Sequence, residues 1–159
     1  MKRTQFRMAA HFQLALLLLA LFQANFKSLA QELVSAETQP LAINLAEINW
    51  GPAGGGNGFP VGVRTERQGT DPVTGGITYY AMFPSGSHFD LHWHTYDEHV
   101  VVVQGSVTIV LGEQSHSLGV GSYVVIPGKM NHSWDIPKGE DAVIVVRRGG
   151  PADFHFVDQ

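Results

Sequence analysis

After Trp50 the chain alternates between short runs of β-branched and aromatic residues and short polar breaks. The runs are VGVRTE, ITYYAMF, HVVVV, SVTIVL, SYVVI, AVIVV and FHFV; the breaks are TDPVTGG, PSG, QG, GEQ, GVG, PGKMN, PKGED and RRGGP. Val, Ile, Tyr and Phe suit a pleated, half-buried surface, while Gly, Pro, Asn and Asp supply the dihedrals of turns. This regular punctuation predicts an all-β sandwich or barrel with no long helix after Trp50. Upstream, LAINLAEINW carries helical and strand patterns at once, and its state stays open. GPAGGGNGFP, residues 51–60, holds too much Gly and Pro for regular structure and predicts a loop. It lacks GxGxxG spacing and a helical pattern after it, so it is expected to be a connector rather than a phosphate cradle.

The first thirty residues have a different texture. Lys2, Arg3 and Arg7 make a positive start, LALLLLALF from Leu14 to Phe22 is a short apolar stretch, and small residues end at Ala30. A spanning helix needs roughly twenty apolar residues, so this pattern predicts a secretory signal rather than an anchor. The expected organisation is a signal peptide over 1–30, an N-terminal arm over 31–50 and a β-barrel domain over 51–159. Export to the periplasm or the medium follows, with no membrane association after cleavage.

Charge and cysteine content narrow the possibilities. Without residues 1–30 the chain keeps six Lys and Arg against 14 Asp and Glu, formally −8, which disfavours a nucleic-acid surface. There is no Cys, so zinc-finger and thiol chemistry are excluded, and an exported domain must stand on its core, a metal or self-association.

The chemistry concentrates in HWHTYDEH, residues 92–99, which takes three of the chain's 8 His. Neutral imidazoles and carboxylates lose hydration on burial and must find partners there. On a strand, His92 and His94 project from one face, and His88 and Asp90 share their parity. That makes His88 and Asp90 candidates for acid–base work beside the cluster. Phe89, Leu91 and Trp93 fall on the other face, and an apolar outer face predicts a homodimer. His99, His116 and His155 are expected to be structural or exposed. Tyr80, Met82, Tyr123, Met130 and Trp134 are candidates for an apolar pocket or for plain core.

Two spacings carry a family resemblance. Gly86, His92, His94, Glu98 and Gly105 are separated by five, one, three and six intervening residues. Gly121, Pro127 and His132 follow, with fifteen residues between Gly105 and Gly121. This pair of motifs resembles those of the cupin superfamily, over about Ile77 to Val146. Lys129 stands where the second motif usually has Gly, and Gly128 beside it is expected to supply the positive φ of the turn. Ile136 replaces the usual Asn.

The resemblance implies a double-stranded β-helix, a jelly-roll barrel, in which His92, His94, Glu98 and His132 ligate a metal. Three imidazoles and one carboxylate suit one divalent transition ion (Fe, Mn, Ni, Co, Cu or Zn) better than oxygen-seeking Ca²⁺ or Mg²⁺. Four ligands on an octahedral ion leave two positions for water, substrate or dioxygen. The leading expectation is a metal-dependent oxidoreductase of dioxygenase type acting on a small organic molecule, with Glu98 both ligand and base. A redox-neutral lyase, isomerase or decarboxylase and a non-enzymatic sugar- or acid-binding protein are the alternatives. Because protons compete with metal at such ligands, the metal-loaded form is expected to lose stability between about pH 7 and 5 and the metal-free form less.

Overall fold

The computed structural model describes residues 40–157, so the expected signal over 1–30 and the arm up to residue 39 lie outside the described residues. Ten strands follow one short 3₁₀ turn at Leu45–Glu47. They are β1 (Arg64–Thr70), β2 (Ile77–Phe83), β3 (His88–Trp93), β4 (Glu98–Gln104), β5 (Ser106–Leu111), β6 (Gln114–Gly119), β7 (Tyr123–Ile126), β8 (His132–Asp135), β9 (Ala142–Arg148) and β10 (His155–Phe156). Two five-stranded sheets result, ordered β1-β2-β9-β4-β7 and β10-β3-β8-β5-β6. Every named pairing is antiparallel. The all-β expectation holds, and the arrangement is that of a jelly-roll barrel.

Alternation along the strands builds the core. Ala81 and Phe83 on β2, Val100 and Val102 on β4, and Ile144 and Val146 on β9 meet Phe89, Val107, Ile109 and Trp134 of the other sheet. Each buried Val, Ile or Phe side chain among them contributes about 1.5–3 kcal/mol by leaving water, which suits a chain that has no disulfide to stabilise it.

Three elements differ from the hydrophobic pattern. β6 is polar and largely exposed at a sheet edge, where backbone pairing alone makes a strand, so no apolar run announced it. β8 has only four residues, with His132 and Trp134 turned inward. β1 begins at Arg64 rather than Val61, because Val61 to Val63 belong to the preceding turn.

The ambiguous LAINLAEINW segment is neither helix nor strand. Glu47 Oε2 accepts hydrogen bonds from the Asn44 backbone N–H and Nδ2, closing the 3₁₀ turn, and Ile48 is buried. The compact barrel unit accordingly starts at Ile43. The glycine-rich loop does more than connect. A bridge between Gly56 and Phe59 turns the chain so that the Phe59 ring packs on Phe89, Phe154 and Phe156. Gly58 holds φ +92, and a Cβ there would stand 2.3 Å from the Phe156 ring, so both backbone and space require glycine.

Candidate metal centre

The centre forms where β3 and β8 run side by side and face β4 and β9. His92 and His132 are direct register partners across β3 and β8. His94 follows the end of β3, and Glu98 opens β4 opposite Arg148 of β9. His92, His94, His132, Glu98 and Arg148 are all buried.

Each imidazole is oriented by a backbone carbonyl. Nδ1 of His92 donates to Asp90 O (2.6 Å), Nδ1 of His94 to Asp153 O (2.6 Å) and Nδ1 of His132 to Met130 O (3.0 Å). A carbonyl only accepts, so each neutral ring carries its proton on Nδ1 and presents a bare Nε2. The three rings offer ligand atoms that all lie within 4.8 Å of one another. Burial drives the His92 pKa down to about 3 and lowers that of His132, keeping both rings unprotonated. Neutral imidazole is the form that binds metal, and carbonyl acceptors on the far nitrogen fix its tautomer and direction.

Glu98 divides its two oxygens. Oε2 lies 3.1 Å from Nε2 of His94 and 3.6 Å from Nε2 of His132, while Oε1 lies 2.8 Å from Arg148 Nε. With Nδ1 given to a carbonyl, a neutral His94 ring would turn a lone pair toward a carboxylate oxygen, a confrontation that a proton or a cation between them relieves. His132 Nε2 is buried with no hydrogen-bond partner at all. Ligand atoms at right angles on an ion with bonds of about 2.1 Å stand about 3 Å apart, close to the His94–Glu98 spacing. On these observations a divalent transition ion fits the residues present. Burial alone would raise the Glu98 carboxyl, yet the contacts with His94 and Arg148 outweigh it and hold it below its usual value.

Beside the imidazoles lies a cavity of about 20 Å³, lined by Tyr79, His92, His94, Glu98, Arg148, Phe154 and apolar core side chains. That is room for one or two water-sized groups. Burial, and next the Glu98 charge, push the Tyr79 phenol well above its usual range, so it stays protonated. Tyr79 Oη accepts a hydrogen bond from Arg148 Nη2 at 3.2 Å.

The structure thus brings His92, His94, His132 and Glu98 together, with the three imidazoles forming the tight group and Glu98 set against Arg148. It does not bring the side chains of His88 and Asp90 to them, and Asp90 touches the centre only through the backbone carbonyl that holds His92. Between Phe89 and His92 the pairing with β8 slips: Asp90 and Leu91 face only Ser133. This bulge breaks the period of two, so Phe89 and His92 point inward together with their rings stacked at 4.0 Å. His88 is exposed, 2.7 Å from Asp135 and 3.6 Å from Asp90, and neither it nor Asp90 lines the cavity. The shared face expected for His88, Asp90 and the ligands is therefore corrected, and so is the outward place expected for Phe89.

Of the five candidate pocket residues, Trp134 lines the cavity, whereas Tyr80, Met82, Tyr123 and Met130 do not. Sequence reasoning missed Tyr79, Arg148 and Phe154. For Arg148 a signal existed: Ile144, Val146 and Arg148 alternate along β9 on the inward face. His99 bonds Tyr123 Oη (2.6 Å), His116 is exposed on β6, and His155 stacks on Trp93 at 3.9 Å, as expected of structural or exposed rings.

Comparison with known proteins agrees with this fold. A family model described as a cupin domain matches residues 79–147. An uncharacterized protein of Sinorhizobium fredii, y4oW, is 36% identical over 88 residues, 55% of this chain, and the chain spans 37% of that protein's length. A cupin-like protein of Thermotoga maritima superposes with a TM-score of 0.64 at 19% identity, covering 72% of this chain and 89% of that one. The polyketide cyclase RemF of Streptomyces resistomycificus superposes at 0.58 with 14% identity, covering 76% and 87%. Paired motifs, jelly-roll sheets and the matched family model together identify a cupin domain over residues 79–147.

Proposed function

We propose that the protein is an exported metal-dependent oxidoreductase of dioxygenase type that acts on a small organic molecule. One observation carries the reading: three buried imidazoles each commit Nδ1 to a carbonyl and turn a bare Nε2 toward a common point. His92, His94 and His132 hold the ion, and Glu98 approaches the same point through Oε2. When bound, the ion supplies Lewis acidity and one-electron chemistry. The chain supplies a dry, apolar surround, an ionised Glu98 able to take a proton, and a cavity that admits only a small group. Turnover of candidate phenols and small acids under air, compared with turnover under argon, tests the reaction class. Oxygen-independent turnover would remove it.

A second reading, redox-neutral lyase, isomerase or decarboxylase chemistry, is favoured by Glu98 itself. Arg148 pins Oε1 and leaves Oε2 facing the ligand nitrogens, so that one oxygen of a positioned carboxylate is within reach of a proton on a bound molecule. The same pair of assays separates the two. Export rests on the Lys2-to-Ala30 pattern, and mass spectrometry of secreted material should find an N-terminus near Gln31.

A further inference from the structure

The buried ion pair beside the imidazoles has an unused donor. Arg148 lies within the cavity wall, and its Nη1 is buried without any hydrogen-bond partner. Its Nε approaches Glu98 Oε1 at 2.8 Å as an ion pair but lacks hydrogen-bond alignment, and only Nη2 has a bond, to Tyr79. Phe154 stacks under the guanidinium at 4.8 Å and keeps its plane in place. A buried donor on a charged group left without an acceptor is costly, and such groups find an acceptor in water, an ion or a ligand.

Charge points the same way. Glu98 and Arg148 cancel, imidazoles that ligate an ion do so in their neutral form and add nothing, and a divalent ion would leave about two positive charges in a pocket with apolar walls. An anion is what neutralises it. We infer that Arg148 is the anchor for the carboxylate of a small acidic substrate, gripping it beside the three-histidine centre. This rests on the metal-centre reading above and names the substrate class for that site. The cavity of about 20 Å³ takes the acid group alone. Phe154 both lines the cavity and is 37% exposed, so it marks the opening at which the rest of the molecule lies. Planar, multi-donor guanidinium is the side chain best matched to carboxylate.

Formate and formamide, equal in shape and different in charge, are the probes. Their dissociation constants are measured by NMR titration on the full chain produced in an exporting host, zinc-loaded and metal-free. Wild-type zinc protein should bind formate about tenfold or more tighter than formamide, and Arg148→Gln should cut that preference by about threefold or more, to what the zinc ion alone confers, while leaving formamide within about twofold. Because Arg148→Gln strands the Glu98 charge, the double variant Glu98→Gln/Arg148→Gln removes both charges together and reports if the single variant does not fold. Metal-free wild type should retain a smaller formate preference that Arg148→Gln also removes. Equal binding of the two probes, or a formate preference unchanged in both variants, overturns the anchor. Zinc uptake with no Arg148 dependence sinks the anchor and leaves the metal centre standing. An Arg148-dependent formate preference in protein that takes up no zinc does the reverse.

Discussion

Lys129 shows how a single residue departs from what its neighbours suggest. The positive φ of the turn before β8 falls on Lys129 itself, at φ +66, and Gly128 does not supply it. Gly128 is needed for space instead, since a Cβ there would meet Thr95 O at 2.6 Å. The backbone N–H of Lys129 donates to His94 O at 2.7 Å, so this strained residue ties the second motif to a candidate ligand. A non-glycine residue in the left-handed region costs about 1–2 kcal/mol, part of which glycine returns as greater freedom in the unfolded chain. Lys129→Gly should therefore stabilise by up to about 1 kcal/mol, whereas Gly128→Ala should destabilise by about 2 kcal/mol or more. Denaturant midpoints of the two variants check both signs. At the ligands, His92→Ala or His132→Ala should abolish stoichiometric binding of Mn²⁺ or Zn²⁺, and His116→Ala and His88→Ala should not. Equal affinity of the His92 and His116 variants by calorimetric titration would show the ligand assignment to be wrong.

Among the elements, β3 decides what enters the barrel. Its bulge lets a six-residue strand put Phe89 and His92 on the same side, filling the core and placing a ligand without a second strand. A deletion of Leu91 would remove the extra residue and, with Phe89 still opposite Trp134, leave His92 opposite His132 in strict alternation, whereas deletion of both Asp90 and Leu91 would bring His92 opposite Ser133 and turn it to the other face. The single deletion should keep metal binding, and the double deletion should lose it even if it keeps its far-UV circular dichroism, which distinguishes register from unfolding. The glycine-rich loop acts on the same core from the other side through Phe59. Gly58→Ala forces a Cβ against Phe156 at a positive φ and should cost about 2–3 kcal/mol, read as a fall in melting temperature.

For the whole molecule, acid sensitivity follows from the buried rings. In the unfolded chain His92 and His132 titrate near ~6.5, and in the folded protein both lie lower, His92 at about 3. The unfolded state thus holds more protons below pH ~6.5. The stability these neutral rings contribute is complete above that pH and is lost as pH falls toward the folded values, at up to about 1.4 kcal/mol per pH unit for each ring. Metal-free protein should therefore melt at progressively lower temperature between pH 7 and 5. At these two rings protons do not compete with metal in the folded state, so loaded and metal-free profiles differ less than ligand types alone suggest. A flat metal-free profile would contradict the burial argument. Association belongs to this scale too. With Phe89 in the core, the face expected to pair two copies is lost, but another is available: Tyr80, Val145, Val101 and Tyr123 align across β2, β9, β4 and β7, ending at Tyr123, 60% exposed. We propose a homodimer through this row. Sedimentation should give a dimer mass for the wild type and a monomer for Tyr123→Glu; a wild-type monomer at micromolar concentration would rule it out.

The sequence by itself determined the strand-rich class, because the period of two and the Gly and Pro breaks are local properties of the backbone. Which four side chains converge was legible only through the resemblance of the His92–His94–Glu98 and His132 motifs to those of cupins, since strand parity alone grouped His92 and His94 with His88 and Asp90. Only the tertiary structure decided the rest. Whether His88 and Asp90 face the site depended on a bulge, which exists only in the pairing of β3 with β8 and has no local signature. The Arg148–Glu98 pair joins residues fifty positions apart through the register of β9 against β4, and the Nδ1 bond of His94 reaches Asp153 across a still longer interval. Such contacts arise from how sheets stack, so which carboxylate is pinned, which imidazole stays bare and which arginine is left with an unused donor become visible only once the barrel closes.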